Sequence, residues 1–263
     1  MKSLKQVFIL FILSGSLMLN QTFAQDDVPN KDTTLWSRSE AYTPTRVNLP
    51  DNYDPDKPYT LVIGLHGYGS SAEGFLALSK PFTDAGFIFA APEAYYPVPL
   101  DNGKLGYEWF LYDISSLIML ERPASDLEKA AMRVTTEKQM GQVISDLKTN
   151  YRIDKVFVAG FSQGGIITYL TGIHHYDKID GMIIFSSVVD TDWLGNDDIR
   201  EGNRVRTLII QGEQDTLVPI ALAENGRDLL LENGYEVTYR KFEGKHSIPM
   251  HLMDFVIEWI KEE

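Results

Sequence analysis

Continuous apolar runs of strand length recur along the chain, separated by longer stretches in which apolar and polar residues alternate at helical spacing. An apolar run bounded by turn residues indicates a strand that is buried on both faces. The predicted strands are Arg46 to Leu49 at an edge, Tyr59 to Leu65, Phe87 to Ala91, Val156 to Ala159, Gly181 to Val189, Val205 to Gly212 and Glu236 to Phe242. The predicted helices are Ser71 to Asp84, Ser125 to Asn150, a helix that starts at about Ile166, Pro219 to Glu232 and Ile248 to Lys261.

Strands that alternate with helices predict an α/β fold, in which a mostly parallel sheet is covered by helices on both faces. In such sheets the residues that bind or react gather at the carboxyl ends of the strands. The candidate residues described below all follow predicted strands.

The most informative turn follows the strand Val156 to Ala159 and reads GFSQGG at positions 160–165. In a strand-turn-helix of the form Gly-x-Ser-x-Gly, the serine is held in a strained conformation that only flanking glycines make possible. Its hydroxyl projects above the sheet, where the start of the helix favours negative charge. With 20 glycines in the chain the pattern alone is weak, but the strand and helix around it predict that Ser162 is a nucleophile.

Among the five histidines, His246 is the best candidate for the general base that a serine nucleophile requires. It lies in the loop after the last predicted strand, and such a loop can bring an imidazole over the serine. His66 ends a strand inside a glycine turn, which we expect it to shape. His174 and His175 lie about three turns into the helix after Ser162 and point away from it, and His251 is expected to be structural.

The base needs an orienting carboxylate, and Asp215 follows the strand Val205 to Gly212. Glu213 and Asp190 are the rival carboxylates. The chain order Ser162, Asp215, His246 is the order of an α/β-hydrolase triad, which favours Asp215. The oxyanion hole is predicted from two backbone N–H groups, those of Gln163 and Tyr68, which follow the serine and the first core strand respectively.

These motifs resemble the phospholipase/carboxylesterase family of α/β-hydrolases, which includes acyl-protein thioesterases and small bacterial carboxylesterases. The resemblance rests on LHGYG (65–69), GFSQGG (160–165), GEQDTLVP (212–219) and GKHS (244–247), and spans about Tyr59 to Ile260. It implies an α/β-hydrolase fold and a serine esterase with Ser162, Asp215 and His246 as its triad. It also implies Tyr68 and Gln163 as oxyanion donors, and no cofactor.

The segment from Glu93 to Pro123 is unusually aromatic, and long loops in compact domains are usually functional. Trp109-Phe110 resembles a Trp-Phe pair that the family often carries before the long helix. We hypothesise that the segment lines an acyl or aryl pocket, with Trp109, Phe110, Tyr95 and Tyr96 as substrate-binding residues. The alternative is a well-packed surface insertion, since aromatic side chains are also core material. Whether the segment acts as a lid is left open.

The first 24 residues have the features of a secretory signal peptide. Lys2 and Lys5 precede an apolar stretch from Val7 to Leu19, and Thr22-Phe23-Ala24 is a small-x-small cleavage site. We therefore expect an exported protein, periplasmic or secreted, in which residues 25–44 form a linker or strap and residues 45–263 form the catalytic domain. The intracellular thioesterases of the family lack such a signal, so protein substrates are not expected here.

The amino-acid composition excludes several classes of partner and cofactor. The chain has 263 residues, 44% of them hydrophobic, which suits one sizeable domain. Its formal net charge of −13 disfavours nucleic acid and anionic membrane surfaces. The absence of cysteine excludes disulfides, lipidated cysteine and thiol catalysis. No cluster of His, Asp and Glu has convincing metal-ligand spacing, so neither a metal nor another cofactor is predicted.

The expected partner is a small-molecule ester, with a small or medium acyl or aryl group, that reacts through an acyl-enzyme. Several alternatives stay open: a polysaccharide-side-chain esterase of the feruloyl or acetyl type, a lysophospholipase or thioesterase, and a non-catalytic binding protein of the same fold. A serine peptidase of this fold would usually need a propeller or cap domain, for which the chain leaves no room.

Overall fold

A computed structural model of the chain describes residues 41–111, 122–194 and 198–262. The predicted signal peptide and residues 25–40 of the predicted strap lie outside the described residues, as do Tyr112 and residues 113–121 of the aromatic segment. From Tyr42 onward the described residues form one compact unit. Thr43 and Pro44, at the end of the predicted strap, belong to this unit: the Thr43 hydroxyl accepts a hydrogen bond from Gln139 and the Pro44 carbonyl accepts one from Glu93 N–H.

The described strands form a sheet of seven and a separate two-stranded hairpin. The strands are β1 Thr45–Asn48, β2 Tyr59–Leu65, β3 Ile88–Pro92, β4 Tyr96–Pro99, β5 Leu105–Glu108, β6 Ile153–Phe161, β7 Gly181–Phe185, β8 Arg206–Gly212 and β9 Val237–Phe242. The large sheet has the order β1-β3-β2-β6-β7-β8-β9, and within it β1 alone is antiparallel to its neighbour. The prediction of a mostly parallel sheet is confirmed.

Helices cover both faces of this sheet. They are α1 Ala72–Leu76, α2 Lys80–Asp84, α3 Asp126–Asn150, α4 Gln163–His174, α5 Thr191–Leu194, α6 Asp198–Glu201, α7 Ile220–Glu232 and α8 Met253–Lys261, preceded by a 3₁₀ turn at Met250–Leu252. One core layer joins the sheet to α3, α4 and α7, and the other joins it to α1, α2 and α8. Alternate residues of each strand serve the two layers, as in β2, where Leu61 and Ile63 face one layer and Val62 faces the other.

The long helix α3 illustrates how local sequence sets an element's start. Ser125 accepts a hydrogen bond from Glu128 N–H, and the Glu128 carboxylate accepts one from Ser125 N–H, so the two residues form a capping box. Arg122 adds an ion pair to Glu128 at 2.7 Å. The predicted start at Ser125 and end at Asn150 are therefore confirmed to within one residue.

Four sequence predictions about elements need correction. The helix predicted from Ser71 to Asp84 is two short helices, because Pro81 in the first turn of α2 lacks an N–H and cannot continue α1. The strand predicted to reach Val189 ends at Phe185, because Ser186 has a positive φ of 46°. The final helix begins at Met253 rather than Ile248. The aromatic segment, predicted as a loop, contains the hairpin of β4 and β5.

None of the helices in the described part of the chain combines the length and the apolar character that crossing a bilayer would require.

Candidate active site

Ser162 lies at the junction of β6 and α4 with φ 54° and ψ −119°, a backbone conformation that residues other than glycine rarely adopt. The glycines around it are needed for close packing. A Cβ on Gly164 would collide with the Leu65 carbonyl oxygen and lie 2.6 Å from that of His66, and a Cβ on Gly160 would collide with the Gly164 carbonyl. The turn that the sequence predicted is therefore held by backbone-to-backbone contact with the end of β2.

The last residue of β7 and a serine two positions after it fix the peptide groups of Ser162. Ser162 N–H donates to the Phe185 carbonyl at 3.0 Å, and the Ser187 hydroxyl donates to the Ser162 carbonyl at 2.6 Å. The Ser162 side chain is half-buried. These bonds offset a backbone strain of about 1–3 kcal/mol that the conformation of Ser162 would otherwise cost.

Asp215 lies in the loop after β8 and is buried, and its carboxylate oxygens accept hydrogen bonds from both backbone and side-chain donors. Oδ1 accepts from Leu217 N–H at 2.9 Å and Val218 N–H at 2.8 Å. Oδ2 accepts from His246 Nδ1 at 2.8 Å and Gln211 Nε2 at 3.2 Å. Burial is the largest single influence and raises the pKa of Asp215, but the hydrogen bonds from Val218, His246 and Leu217 together outweigh it and hold the pKa below its usual value. Asp215 therefore stays ionised near neutral pH.

His246 is placed between this carboxylate and the serine turn. Because Asp215 Oδ2 can only accept, the bond at 2.8 Å puts the imidazole proton on Nδ1 and leaves Nε2 with a free electron pair. The ring packs against that of Phe161, the residue before Ser162, with 4.8 Å between centroids. The Ser186 hydroxyl donates to the Ser247 carbonyl at 3.2 Å, which anchors the His246 loop to the turn after β7. The next residue of that turn, Ser187, bonds Ser162, so the loop and the serine are held by the same turn.

The rival residues have other partners or other places. Glu213 is exposed, and Asp190 accepts from Asp192 N–H at the start of α5. His175 bonds the Glu137 carbonyl. His174 pairs with the Glu137 carboxylate at 3.4 Å. His251 lies in the exposed 3₁₀ turn before α8.

His66 shapes the loop that carries Tyr68, as the sequence suggested. It is fully buried, and its Nδ1 lies 2.9 Å from the carbonyl oxygen of Gly67, to which Ser70 N–H also donates. This carbonyl belongs to the same peptide group as Tyr68 N–H. Because a trans peptide directs its C=O and N–H in opposite directions, the two bonds fix the direction of Tyr68 N–H. A Cβ on Gly67 would lie 3.4 Å from Ser162 Cβ, so this loop borders the serine.

Gln163 begins α4, where the first N–H groups have no partner within the helix. Its side chain is fully buried and bonds the backbone of the aromatic segment: Oε1 accepts from Trp109 N–H at 2.9 Å, and Nε2 donates to the Phe110 carbonyl at 2.9 Å. Trp109 has no exposed surface, and its indole N–H donates to the His66 carbonyl at 2.8 Å. A residue so enclosed can support a pocket but does not line one, so the burial of Trp109 argues against the substrate contact predicted for it.

The other predicted pocket residues are distributed along the same segment. Phe110 is buried except for 6% of its surface, and its ring packs on that of Trp193 with 4.4 Å between centroids. Tyr95 and Tyr96 form an edge-to-face pair at the start of β4 and are half-buried, and burial raises the pKa of both phenols. The contacts that place the two tyrosines are those of the hairpin, so their role in substrate binding stays a prediction.

Three residues that support the site were missed from the sequence: Gln211, Ser186 and Ser187. The sequence predicts Gln211 only as part of a strand, yet its side chain donates to Asp215 and, at 2.8 Å, to the Val218 carbonyl. The two serines were hidden because the predicted strand ran through them to Val189. Their position at the carboxyl end of β7 was the signal that could have identified them.

The arrangement places a hydroxyl and an imidazole on neighbouring turns, with an ionised carboxylate bonded to the imidazole and a loop N–H of fixed direction bordering the serine. Such a set can move a proton from the hydroxyl to the imidazole and stabilise negative charge on a carbonyl oxygen. Among the described residues, no group of three or more His, Asp or Glu side chains is arranged to hold a metal ion.

Comparison with known proteins gives a consistent result. Residues 53–263 match the sequence model of the phospholipase/carboxylesterase family. A probable inactive carboxylesterase of Oryza sativa subsp. japonica is 26% identical over 213 residues, which cover 76% of this chain and 83% of the relative. Acyl-protein thioesterase 1 of Gibberella zeae is 23% identical over 75% of this chain and 85% of its own length. The crystal structure of esterase PE8 superposes with a TM-score of 0.67 at 23% identity, over 84% of this chain and 99% of that one, and shares the fold.

Proposed function

Because the chain belongs to the phospholipase/carboxylesterase family of α/β-hydrolases, a family of ester and thioester hydrolases, we propose that it is a serine esterase with Ser162, Asp215 and His246 as its catalytic triad. The observation that carries the proposal is the 2.8 Å bond from His246 Nδ1 to Asp215, on a loop anchored beside the strained turn of Ser162. A packing arrangement without catalytic use would not need a buried, ionised carboxylate to orient a histidine beside such a serine.

The proposed reaction is a two-step acyl transfer. His246 Nε2 takes the proton of Ser162 as its oxygen attacks the ester carbonyl, and Asp215 stabilises the imidazolium that forms. The N–H groups of Tyr68 and Gln163 stabilise the oxyanion of the tetrahedral intermediate. The imidazolium then protonates the departing alcohol, which leaves an acyl-serine. A water molecule, deprotonated by His246, hydrolyses this acyl-enzyme by the same route and restores the serine.

The proposed substrate is a small-molecule ester with a small or medium acyl or aryl group. Tyr95 and Tyr96 are half-buried and supply aromatic surface in the segment that adjoins the site, where Phe110 packs on Trp193. An aryl ester on a polysaccharide side chain, a lysophospholipid or a thioester would also present a carbonyl to the same groups, so the acyl preference has to be measured.

The test is hydrolysis of p-nitrophenyl esters from acetyl to dodecanoyl by the wild type, Ser162→Ala and a control, Ser145→Ala, which alters an exposed serine of α3. We expect Ser162→Ala to lower kcat by at least about 10³-fold, since the nucleophile is lost, and Ser145→Ala to match the wild type. The chain length with the highest kcat/KM then sizes the pocket.

The same assay tests the rival proposal of a non-catalytic binding protein. The probable inactive carboxylesterase among the relatives is the observation that favours this rival. If the wild type hydrolyses none of the esters and is not labelled by a fluorophosphonate probe, the esterase proposal is wrong.

We also propose that the protein is exported and cleaved after Ala24, on the strength of the charged start, the apolar stretch and the small residues at the cleavage site. Expression of the full chain in a bacterial host, followed by N-terminal sequencing of the protein in the periplasm and medium, tests this. A sequence that begins at Gln25 supports export, whereas an uncleaved protein confined to the cytoplasm contradicts it.

A further inference from the structure

The two candidate oxyanion donors belong to different segments of the chain. Tyr68 lies in the loop after β2, and Gln163 lies at the start of α4. An oxyanion is stabilised only when both N–H groups come within about 3 Å of the same oxygen. A displacement of about 1 Å in such a group can lower the rate by about 10²-fold. The contacts that fix the separation of these two segments therefore influence how well both N–H groups can bind one oxyanion.

The side chain of Gln163 ties the start of α4 to the aromatic segment in the manner of a strand partner. It accepts from Trp109 N–H and donates to the Phe110 carbonyl, both at 2.9 Å. The partners determine the orientation of the amide, because an N–H can only face oxygen and a carbonyl can only face a donor. Gln163 has no exposed surface, so water does not compete for either bond.

Trp109 ties the same segment to the loop after β2. Its indole N–H donates to the His66 carbonyl at 2.8 Å, and its ring packs on the imidazole of His66 with 5.2 Å between centroids. The Trp109 carbonyl accepts from the Thr136 hydroxyl of α3 at 3.0 Å. Trp109 is thus held by a long helix behind it, and it contacts both segments that carry the candidate donors.

We propose that Trp109 and the side chain of Gln163 form a brace that sets the distance between the two oxyanion N–H groups. Trp109 is then a positioning residue, acting through His66 and Gln163 without touching the substrate. The proposal rests on the proposed function, since it assigns a role within the same site. It replaces the sequence-based interpretation in which Trp109 contacts the acyl group.

Trp109→Phe tests the brace, because it removes the indole N–H while keeping an aromatic ring in the same space. Trp259→Phe is the matched control: Trp259 is also buried, and its indole N–H donates to the Thr238 hydroxyl at 3.1 Å in the opposite core layer. Each variant is assayed for kcat and KM on two ester chain lengths, for inhibition by an alkylboronic acid that forms a tetrahedral adduct with serine, and for thermal stability.

The brace predicts that Trp109→Phe lowers kcat by about 10- to 100-fold and weakens inhibition by the boronic acid by a similar factor. KM and the chain-length preference should stay as in the wild type. Trp259→Phe should keep wild-type kinetics at a comparable loss of stability. If Trp109→Phe behaves like Trp259→Phe, the brace is wrong. A change in KM or chain-length preference at unchanged kcat also overturns it, since that is the behaviour of a substrate contact.

Gln163→Glu decides the matter if Trp109→Phe does not fold. The variant keeps the backbone N–H and the side-chain shape, but the introduced carboxyl group can donate to the Phe110 carbonyl only while it is protonated. Its kcat relative to the wild type should therefore fall as pH rises, whereas Gln139→Glu, at another buried glutamine that donates to a carbonyl, should keep the wild-type pH profile of kcat. Identical pH profiles for the two variants overturn the brace.

Failure of the brace and failure of the proposed function are distinguishable in the same assay. Loss of activity in Ser162→Ala, with the wild-type kcat kept by Trp109→Phe, rejects the brace and leaves the serine mechanism intact. Activity that persists in Ser162→Ala rejects the serine mechanism itself, and the brace fails with it.

Discussion

At the scale of single residues, the site is defined by what each polar atom can accept or donate. Asp215 is the clearest case, because its Oδ1 is occupied by the N–H groups of Leu217 and Val218, and its Oδ2 by His246 and Gln211. Each of these four neighbours is a donor. The carboxylate is therefore the only side chain of this shape that satisfies them all, and it dictates the tautomer of His246.

Asp215→Asn is predicted to lower kcat by about 10³- to 10⁴-fold while leaving the fold intact. The amide oxygen would serve Leu217 and Val218, so the amide NH₂ would face His246 Nδ1. That arrangement favours the tautomer protonated on Nε2, which cannot accept the serine proton. The measurement is kcat/KM on the preferred ester, with urea unfolding to check the fold.

Glu213→Gln serves as the control for Asp215→Asn, since Glu213 is the exposed rival carboxylate two residues away. We expect it to keep wild-type kcat within a few-fold. The assignment of Asp215 is wrong if Glu213→Gln abolishes activity and Asp215→Asn does not.

At the scale of elements, the turn that carries Ser162 depends on how closely α4 approaches the end of β2. Gly164 is the point of contact, because the Leu65 and His66 carbonyl groups occupy the space that a Cβ on this residue would need. The loop after β2 carries Tyr68, so the packing that stabilises the fold here also positions a candidate oxyanion donor. A single added methyl group at this contact would push α4 away from the end of β2.

Gly164→Ala is predicted to cost about 3 kcal/mol or more in unfolding free energy, because the added Cβ would meet backbone atoms that cannot rotate away. Gly74→Ala is the matched control, since it is also a helical glycine but faces only serine hydroxyls, at 3.3 and 3.4 Å. We expect Gly74→Ala to be neutral or stabilising by up to about 1 kcal/mol. Urea denaturation of both variants measures the difference, and equal losses would contradict the close-approach argument.

The elements themselves were largely predictable because they depend on local patterns. Ser125 and Glu128 predict the start of α3 through one capping box, and Tyr59 to Leu65 predicts β2 through an uninterrupted apolar run. Errors arose where one residue overrides such a pattern. Pro81 divides an otherwise helical stretch, and the positive φ of Ser186 ends β7 four residues before its apolar run ends.

At the scale of the whole molecule, the proposed triad residues can be named from the sequence because chain order and sheet topology bring the carboxyl ends of β6, β8 and β9 to one edge. The role of Trp109 was not predictable in this way. Its burial depends on contacts with His66 and Gln163, which lie 43 and 54 residues away in sequence. Spacing along the chain does not indicate that the indole N–H of Trp109 will bond the first of these residues and its backbone N–H the second.

The distribution of charge over the whole molecule predicts how its stability responds to acid. Partners hold the pKa of several carboxyl groups below their usual values: the hydrogen bonds of Glu128 with Arg122 and Ser125, of Glu137 with His174, and of Asp228 with Arg227. The pKa of Asp215 is also held below its usual value, whereas burial raises the pKa of Asp190. A lowered pKa contributes stability at pH values above the unfolded-state pKa, which is about 4, and this stability is lost as pH falls through the folded-state value.

We therefore predict that the urea midpoint is nearly constant from pH 7 to about pH 5 and falls steeply below about pH 4. Glu128→Gln removes one of the responsible groups, so its midpoint should lie below that of the wild type at pH 7. The deficit should shrink as pH falls from about 5 to 3, because the carboxyl group of unfolded wild type takes up its proton there while the folded-state group, held by Arg122 and Ser125, keeps its charge. Asp101→Asn, at an exposed turn of the hairpin, is the control and should follow the wild type throughout. A Glu128→Gln deficit that is as large at pH 3 as at pH 7 would mean that the residue stabilises α3 by packing rather than by its charge.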